Sequence, residues 1–201
     1  MMRFLSISFC NYFFNVLKIF IFFYFTSISC EEVKPLDGLD KLHSSLEKIS
    51  KNNLNDSSFN RLLNVTREIY DIEKMSKMII GSKWSKITPK DKDKFINVFG
   101  EFIVVNYIRR FSKLKKLDFI HKETKVIANN FILVKFDLKV DEDFVYLDYL
   151  MYRDKNRWKV FDILLDGSIS EIATKKSDFM KIIEEKGFEG LISDLKLKNK
   201  I

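Results

Sequence analysis

The stretch that decides the fold is Arg157 to Leu195, RWKVFDILLDGSISEIATKKSDFMKIIEEKGFEGLISDL. It opens as a strand. Trp158, Val160, Phe161, Ile163 and Leu164 are β-favouring, and Asp166-Gly167 is a turn signal. The period then becomes helical, with Ile169, Ile172, Phe179, Ile182 and Ile183 near 3.6 residues per turn. Gly187 suits the left-handed position that closes a helix, and Phe188, Leu191, Ile192 and Leu195 begin a second apolar stripe. A last strand therefore turns sharply and sends two helical segments back across the domain.

Upstream lies a meander. Ile132, Val134, Phe136, Leu138 and Val140 alternate with Lys135, Asp137 and Lys139, which marks a half-buried strand. The period changes from Lys122, and Val126 and Ala128 lead into this strand. Asp141-Glu142-Asp143 makes the hairpin turn into Val145, Leu147, Tyr149 and Met151, and Asp154-Lys155-Asn156 turns into the Trp158 strand.

Before the strands the chain reads as helices. Leu42, Leu46 and Ile49 mark one face, and Lys51 to Ser57 interrupts it. Phe59, Leu62, Leu63 and Val65 mark a second helix, and Tyr70 onward a third that ends near Gly81. Thr88-Pro89-Lys90-Asp91 is a strong helix start. Thr88 can cap, Pro89 loses no needed N–H at the first position, and Asp91 completes a capping box. The helix that follows, from Phe95 to Phe111, is apolar on more than one stripe, so it is buried on most sides or lines a cavity. The expected architecture is α+β: a curved antiparallel meander of three to five strands, with N- and C-terminal helices packed on its concave side around an apolar pocket.

These residues also carry a family resemblance. Trp158-Lys159-Val160-Phe161-Asp162, Asp166-Gly167-Ser168, Lys175 to Phe179 and Gly187 to Ile192 resemble the C-terminal part of the MlaC, or toluene-tolerance, family of periplasmic lipid-transport proteins. Gly81-Ser82-Lys83-Trp84 followed by Thr88-Pro89 and a Phe-rich helix resembles that family's middle motif. The variant Gly167 to Ala173 is closer to the hopanoid-associated HpnM branch.

Length and composition fit one exported domain. The chain has 201 residues, 46% of them hydrophobic, and a formal charge of +7. Residues 1–29 read as a secretory signal, with Arg3 and Lys18 as basic residues, Ile19 to Phe25 as the apolar core and Ser27-Ile28-Ser29 as a small-x-small cleavage site. An uncleaved anchor is the alternative. Residues 30–201 are then the single domain. Cys30 stands where a bacterial lipoprotein carries its lipid. A lipobox places a larger aliphatic residue three positions earlier, and Ser27 is there instead. Cys10 leaves with the signal, so no intrachain disulfide is expected and packing must stabilise the domain.

No catalytic signature stands out. His43 and His121 are the only histidines and are far apart in sequence, and no metal, phosphate-loop or nucleophile-elbow motif occurs. The chain reads as a non-enzyme without cofactor or metal. Asp148, Tyr149, Tyr152 and Asp162 are an acid–base set by fold analogy alone. Basic runs occur at Arg109, Arg110, Lys113, Lys115 and Lys116, and at Lys175, Lys176 and Lys181. Export excludes nucleic acid, so anionic headgroups or acidic partner surfaces are better targets, through transient membrane-surface contact.

The resemblance implies a periplasmic carrier that ferries phospholipid between an outer-membrane lipoprotein complex and an inner-membrane ABC transporter of MCE type, with acyl chains between sheet and helices. Twelve of the 20 phenylalanines lie beyond residue 29 and can furnish such a wall. The candidate lipid-contacting residues are Val98, Phe102, Val105, Tyr107, Val134, Phe136, Leu147, Tyr149, Trp158 and Val160; each is otherwise ordinary core. A hopanoid or other polycyclic lipid is the alternative cargo, and a lipid-free interaction module with a filled core the alternative function.

Overall fold

The computed structural model describes residues 34–51, 56–114, 116–140 and 143–200. The expected signal, Cys30, Lys115, most of the break after Lys51 and the Asp141-Glu142 turn lie outside the described residues. Helices α1 (Pro35–Lys51), α2 (Asp56–Ile69) and α3 (Ile72–Ile80) come first. A 3₁₀ turn (Gly81–Lys86) then leads to α4 (Pro89–Phe111). Strands β1 (Leu117–Ala128), β2 (Phe131–Val140), β3 (Asp143–Asp154), β4 (Arg157–Leu165) and β5 (Ile169–Ser170) follow, and α5 (Glu171–Lys198) ends the described chain.

The strands form one antiparallel sheet in the order β1-β2-β3-β4-β5. β1 is a separate strand rather than a lead into β2: it starts at Leu117, and Leu117 and Phe119 pair with Val140 and Leu138. Register shifts interrupt β1 twice and the β3–β4 pair once, between Leu150 and Met151. Such bulges bend a strand and increase its twist. The helices cover one face. Val134 pairs with Tyr149, Phe136 with Leu147 and Ile132 with Met151, and all six are buried on that face. The α+β expectation therefore stands, at five strands.

Local chemistry sets the helix ends. Thr88 Oγ1 caps α4 by accepting the Asp91 N–H at 3.2 Å, and it donates to Asp91 Oδ2 at 2.8 Å, so the Asp91 carboxylate meets the Thr88 hydroxyl rather than the backbone N–H that a capping box engages. Gly81 closes α3 at φ 62°. Gly187 interrupts α5 at φ 72°, ψ 177°, a region essentially reserved for glycine, so the two expected helical segments run through a kink. α4 packs chiefly on the other helices, α1, α2, α3 and α5. Its Phe95, Phe99 and Phe102 meet Phe179 of α5 edge-on, at centroid separations of 5.9 to 6.4 Å.

α1 is fastened to the sheet by a buried histidine. His43 stacks on Phe119 with centroids 3.9 Å apart, meets Phe136 edge-on, and its Nε2 lies 3.0 Å from the Tyr149 hydroxyl. Burial lowers the His43 pKa from 6.5 to about 3, so the ring is neutral in the fold.

Two outcomes follow from these placements. The unfolded chain binds a proton at His43 between pH 6.5 and about 3 and the folded chain does not. This contribution is intact above pH 6.5 and is lost as pH falls through that window, by up to about 1.4 kcal/mol per pH unit. Urea unfolding at pH 7, 6 and 5 should show the decline, with a flatter slope for His43→Phe. Gly187→Ala has open space for its methyl but must hold a strained backbone, and should lower stability by about 1–3 kcal/mol by urea midpoint.

Candidate functional site

α4 and the sheet do not close completely on one another. Between them lies a cavity of about 100 Å³. α4 supplies one wall. Phe99, Phe102, Ile103, Asn106, Tyr107, Arg110 and Phe111 line it, a stripe spaced by three and four residues along one face of the helix. The sheet supplies the other wall through Phe119, Leu147, Tyr149, Ile163 and Leu165. Leu46, Tyr70 and Met75 close one side, and the first residues of α5, Glu171, Ile172 and Lys175, close another.

The wall keeps its polar atoms engaged with one another. The Tyr70 and Tyr107 hydroxyls hydrogen-bond to each other. The Tyr149 hydroxyl is held by His43, and Asn106 Nδ2 donates back to the Phe102 carbonyl at 2.7 Å. Burial pushes the Tyr107 pKa up to about 12 and raises those of Tyr70 and Tyr149, so all three remain neutral. What these rings present to the cavity is hydrocarbon. The three charged lining residues reach solvent: the side chains of Arg110, Glu171 and Lys175 are 56, 24 and 23% exposed, whereas Tyr70 and Tyr149 are 2% exposed. They mark the mouth.

Four of the ten candidate residues face this space: Phe102, Tyr107, Leu147 and Tyr149. The other six pack elsewhere. Val98 and Val105 are buried on α4 away from the lining stripe. Val134 and Phe136 are buried on β2, with Phe136 covered by His43. Val160 and the half-buried Trp158 lie at the far end of β4, paired with Met151 and Arg153. Ile163 and Leu165 take the cavity positions on β4 because the bulge opposite Leu150 and Met151 resets which residues face inward. Alternation along β4 does not predict that reset. Phe99, Ile103 and Phe111 fall on the same i, i+3, i+4 stripe as Phe102 and Tyr107, a spacing from which they could have been found.

The acid–base set does not converge. Asp162 Oδ1 accepts the N–H groups of Ile163 and Ile172, at 2.8 and 3.1 Å, and Oδ2 accepts the Ser170 hydroxyl at 2.6 Å. Asp162 therefore fastens the start of α5 to β4. Asp148 pairs in register with Lys135 on the sheet face opposite Tyr149, and burial raises its pKa. Tyr152 donates to Asp71. Only Tyr149 of the four lines the cavity. Among the described residues no cluster of His, Cys, Asp or Glu is arranged to hold a metal, and no helix is long and apolar enough to cross a membrane.

Known proteins share this plan. The family described as MlaC protein matches residues 39–197. The intermembrane phospholipid transport system binding protein MlaC of Haemophilus influenzae is 23% identical over 163 residues, covering 78% of this chain and 76% of that protein. A phospholipid-binding protein from Ralstonia solanacearum, solved in complex with a phospholipid, superposes with a TM-score of 0.70 at 20% identity, covering 82% of this chain and 93% of that one. At that identity the likeness shows the fold. The family match extends across most of the chain, from α1 to the last turns of α5, and this protein is a member of the MlaC family.

Proposed function

We propose that this protein is a phospholipid carrier of the periplasm, moving lipid between an outer-membrane lipoprotein complex and an inner-membrane ABC transporter complex of MCE type, without catalysis. The observation that carries the reading is the cavity itself, walled by hydrocarbon and charged only at its mouth. The names of the Haemophilus and Ralstonia relatives support phospholipid as cargo. The apolar stretch at residues 1–29 supports export. Phe102, Tyr107, Leu147 and Tyr149 contact the acyl chains directly; Val98, Val105, Val134, Phe136, Trp158 and Val160 belong to the packing of the fold around that space.

Two quantities constrain how such a carrier works. Roughly 30 methylenes of a diacyl lipid would cost about 24 kcal/mol to expose to water, at about 0.8 each. Transfer from bilayer to an apolar cavity avoids most of that cost, so water between the membranes is the barrier and spontaneous release is slow. A cavity of about 100 Å³ is smaller than the space of about 150 Å³ that holds a single benzene ring. A whole lipid therefore requires α4 and the sheet to part further, and docking to a partner complex is where that opening is useful.

Incubation of residues 31–201 with phospholipid vesicles, followed by native mass spectrometry and lipid extraction, should yield a bound two-chain phospholipid. A chain that stays soluble and lipid-free would support the interaction-module reading instead. A polycyclic terpenoid extracted from protein made in its native host would favour the hopanoid reading. Ile163→Trp and Leu165→Trp, which place an indole in the cavity, should cut the lipid load several-fold in the same assay while the chain remains folded by circular dichroism.

A further inference from the structure

We propose that Arg110 and Lys175 form a subsite for the phosphodiester of the bound lipid, with Glu171 as an internal anion that competes for it. This inference rests on the carrier reading. The two cations belong to separate basic runs in the sequence, and the fold brings them to one place. Arg110 lies in the last turn of α4 and Lys175 just beyond the first turn of α5, and both line the cavity. Both face Glu171, at 3.9 Å from Arg110 Nη2 and 3.7 Å from Lys175 Nζ. A charge-assisted N–H···O bond is about 2.7–2.9 Å long. Neither cation is therefore committed to Glu171, and each keeps donors for another oxyanion.

The surroundings make the trio distinctive. Arg110, Glu171 and Lys175 are the charged residues among those that line the cavity, while the Tyr70, Tyr107 and Tyr149 hydroxyls are occupied by internal partners. Two cations and one anion leave one net positive charge, which matches a single phosphodiester. Apolar walls behind the trio exclude solvent and focus its field at the mouth. A phosphodiester held there leaves its acyl chains running inward toward Phe102 and Tyr149, so one contact fixes both the depth and the direction of the lipid. Guanidinium and phosphate suit each other further, because the planar fork of Arg binds two oxygens at once.

The experiment loads the chain from vesicles containing equal amounts of phosphatidylglycerol and diacylglycerol of the same acyl composition, and reads the ratio of the two lipids bound by mass spectrometry. The chain should enrich phosphatidylglycerol. Arg110→Gln and Lys175→Gln should each lower that ratio about tenfold, the scale of one hydrogen bond to a charged group. Glu171→Gln should move it the opposite way, because it removes the competing anion, a reversal that general damage to the fold does not produce. Uptake of both lipids without preference, or ratios that the three variants leave unchanged, overturns the subsite and leaves the carrier reading intact. A chain that takes up neither lipid overturns the carrier reading as well. Inorganic phosphate titrated into the chain should bind weakly by ³¹P NMR. Free phosphate binding that is tight and lost in Arg110→Gln would assign the site to phosphate itself and overturn the lipid subsite.

Discussion

An unpaired sheet edge is the constraint that the rest of the fold answers. β5 pairs only with Leu164 and Leu165, so the outer edge of β4 from Arg157 to Ile163 needs another partner for its backbone. The junction of α2 and α3 supplies one at Val160. Tyr70 makes a parallel bridge to Val160, and the Asp71 N–H donates to the Val160 carbonyl at 2.9 Å. Buried backbone groups without partners are costly, and Val160 is the fully buried residue of that edge, so the joint sits where it is needed most. Asp71 does more from the same position. It caps α3 by accepting the Lys74 N–H at 2.8 Å and it accepts the Tyr152 hydroxyl. Lys74 then reaches to 3.5 Å from the centre of the Tyr152 ring, near Phe161 and Phe131. Tyr70 turns its own hydroxyl to Tyr107 of α4. One dipeptide thus connects the sheet edge, the helix layer and the cavity wall.

The cavity persists because the elements around it are fixed by such joints rather than by filling the space between them. His43 holds α1 to β3, Asp162 holds the start of α5 to β4, and the Phe95-Phe99-Phe102 row holds α4 to Phe179. The space left between them opens to solvent beside Arg110, Glu171 and Lys175 and is walled elsewhere by apolar and aromatic side chains.

What could be read from the sequence was local, and what could not was relational. Thr88-Pro89, Gly81 and Gly187 act through the backbone within a few residues, so their meaning survives without the fold. The period-2 row of β2 was equally plain, because Ile132, Val134, Phe136 and Leu138 are all buried on one face. α4 was legible as buried but not as a wall. Val104, Val105 and Ile108 are as buried as Phe99, so no amphipathic contrast marks the stripe that meets the cavity. On β4 a bulge exchanges the inward residues after Val160, and a bulge is a property of the strand pair. Arg110 and Lys175 lie 65 positions apart in two separate basic runs, and only the return of α5 across the end of α4 makes them neighbours.

That return also determines how the cavity can widen. α5 is fastened to the sheet at its first turn, through Asp162 to the Ile172 N–H and the Ser170 hydroxyl. From Phe179 onward it belongs to the helix layer. Phe179 packs on α4, Lys94 pairs with Glu189 at 2.6 Å, and Asn199 Nδ2 donates to the Val98 carbonyl at 2.9 Å. Within α5, any separation of sheet from helices therefore falls on the few residues between Ile172 and Phe179, which include Lys175. The helix ladder there can be preserved only if the Asp162 joint or the Phe179 contact moves. Two hydrogen bonds to one carboxylate, from the Ser170 hydroxyl and the Ile172 N–H, resist displacement by more than ring contacts that can slide over one another. The physically cheaper opening keeps α5 with β4 at its first turn and lets the Phe179 ring shift along the Phe95-Phe99-Phe102 row.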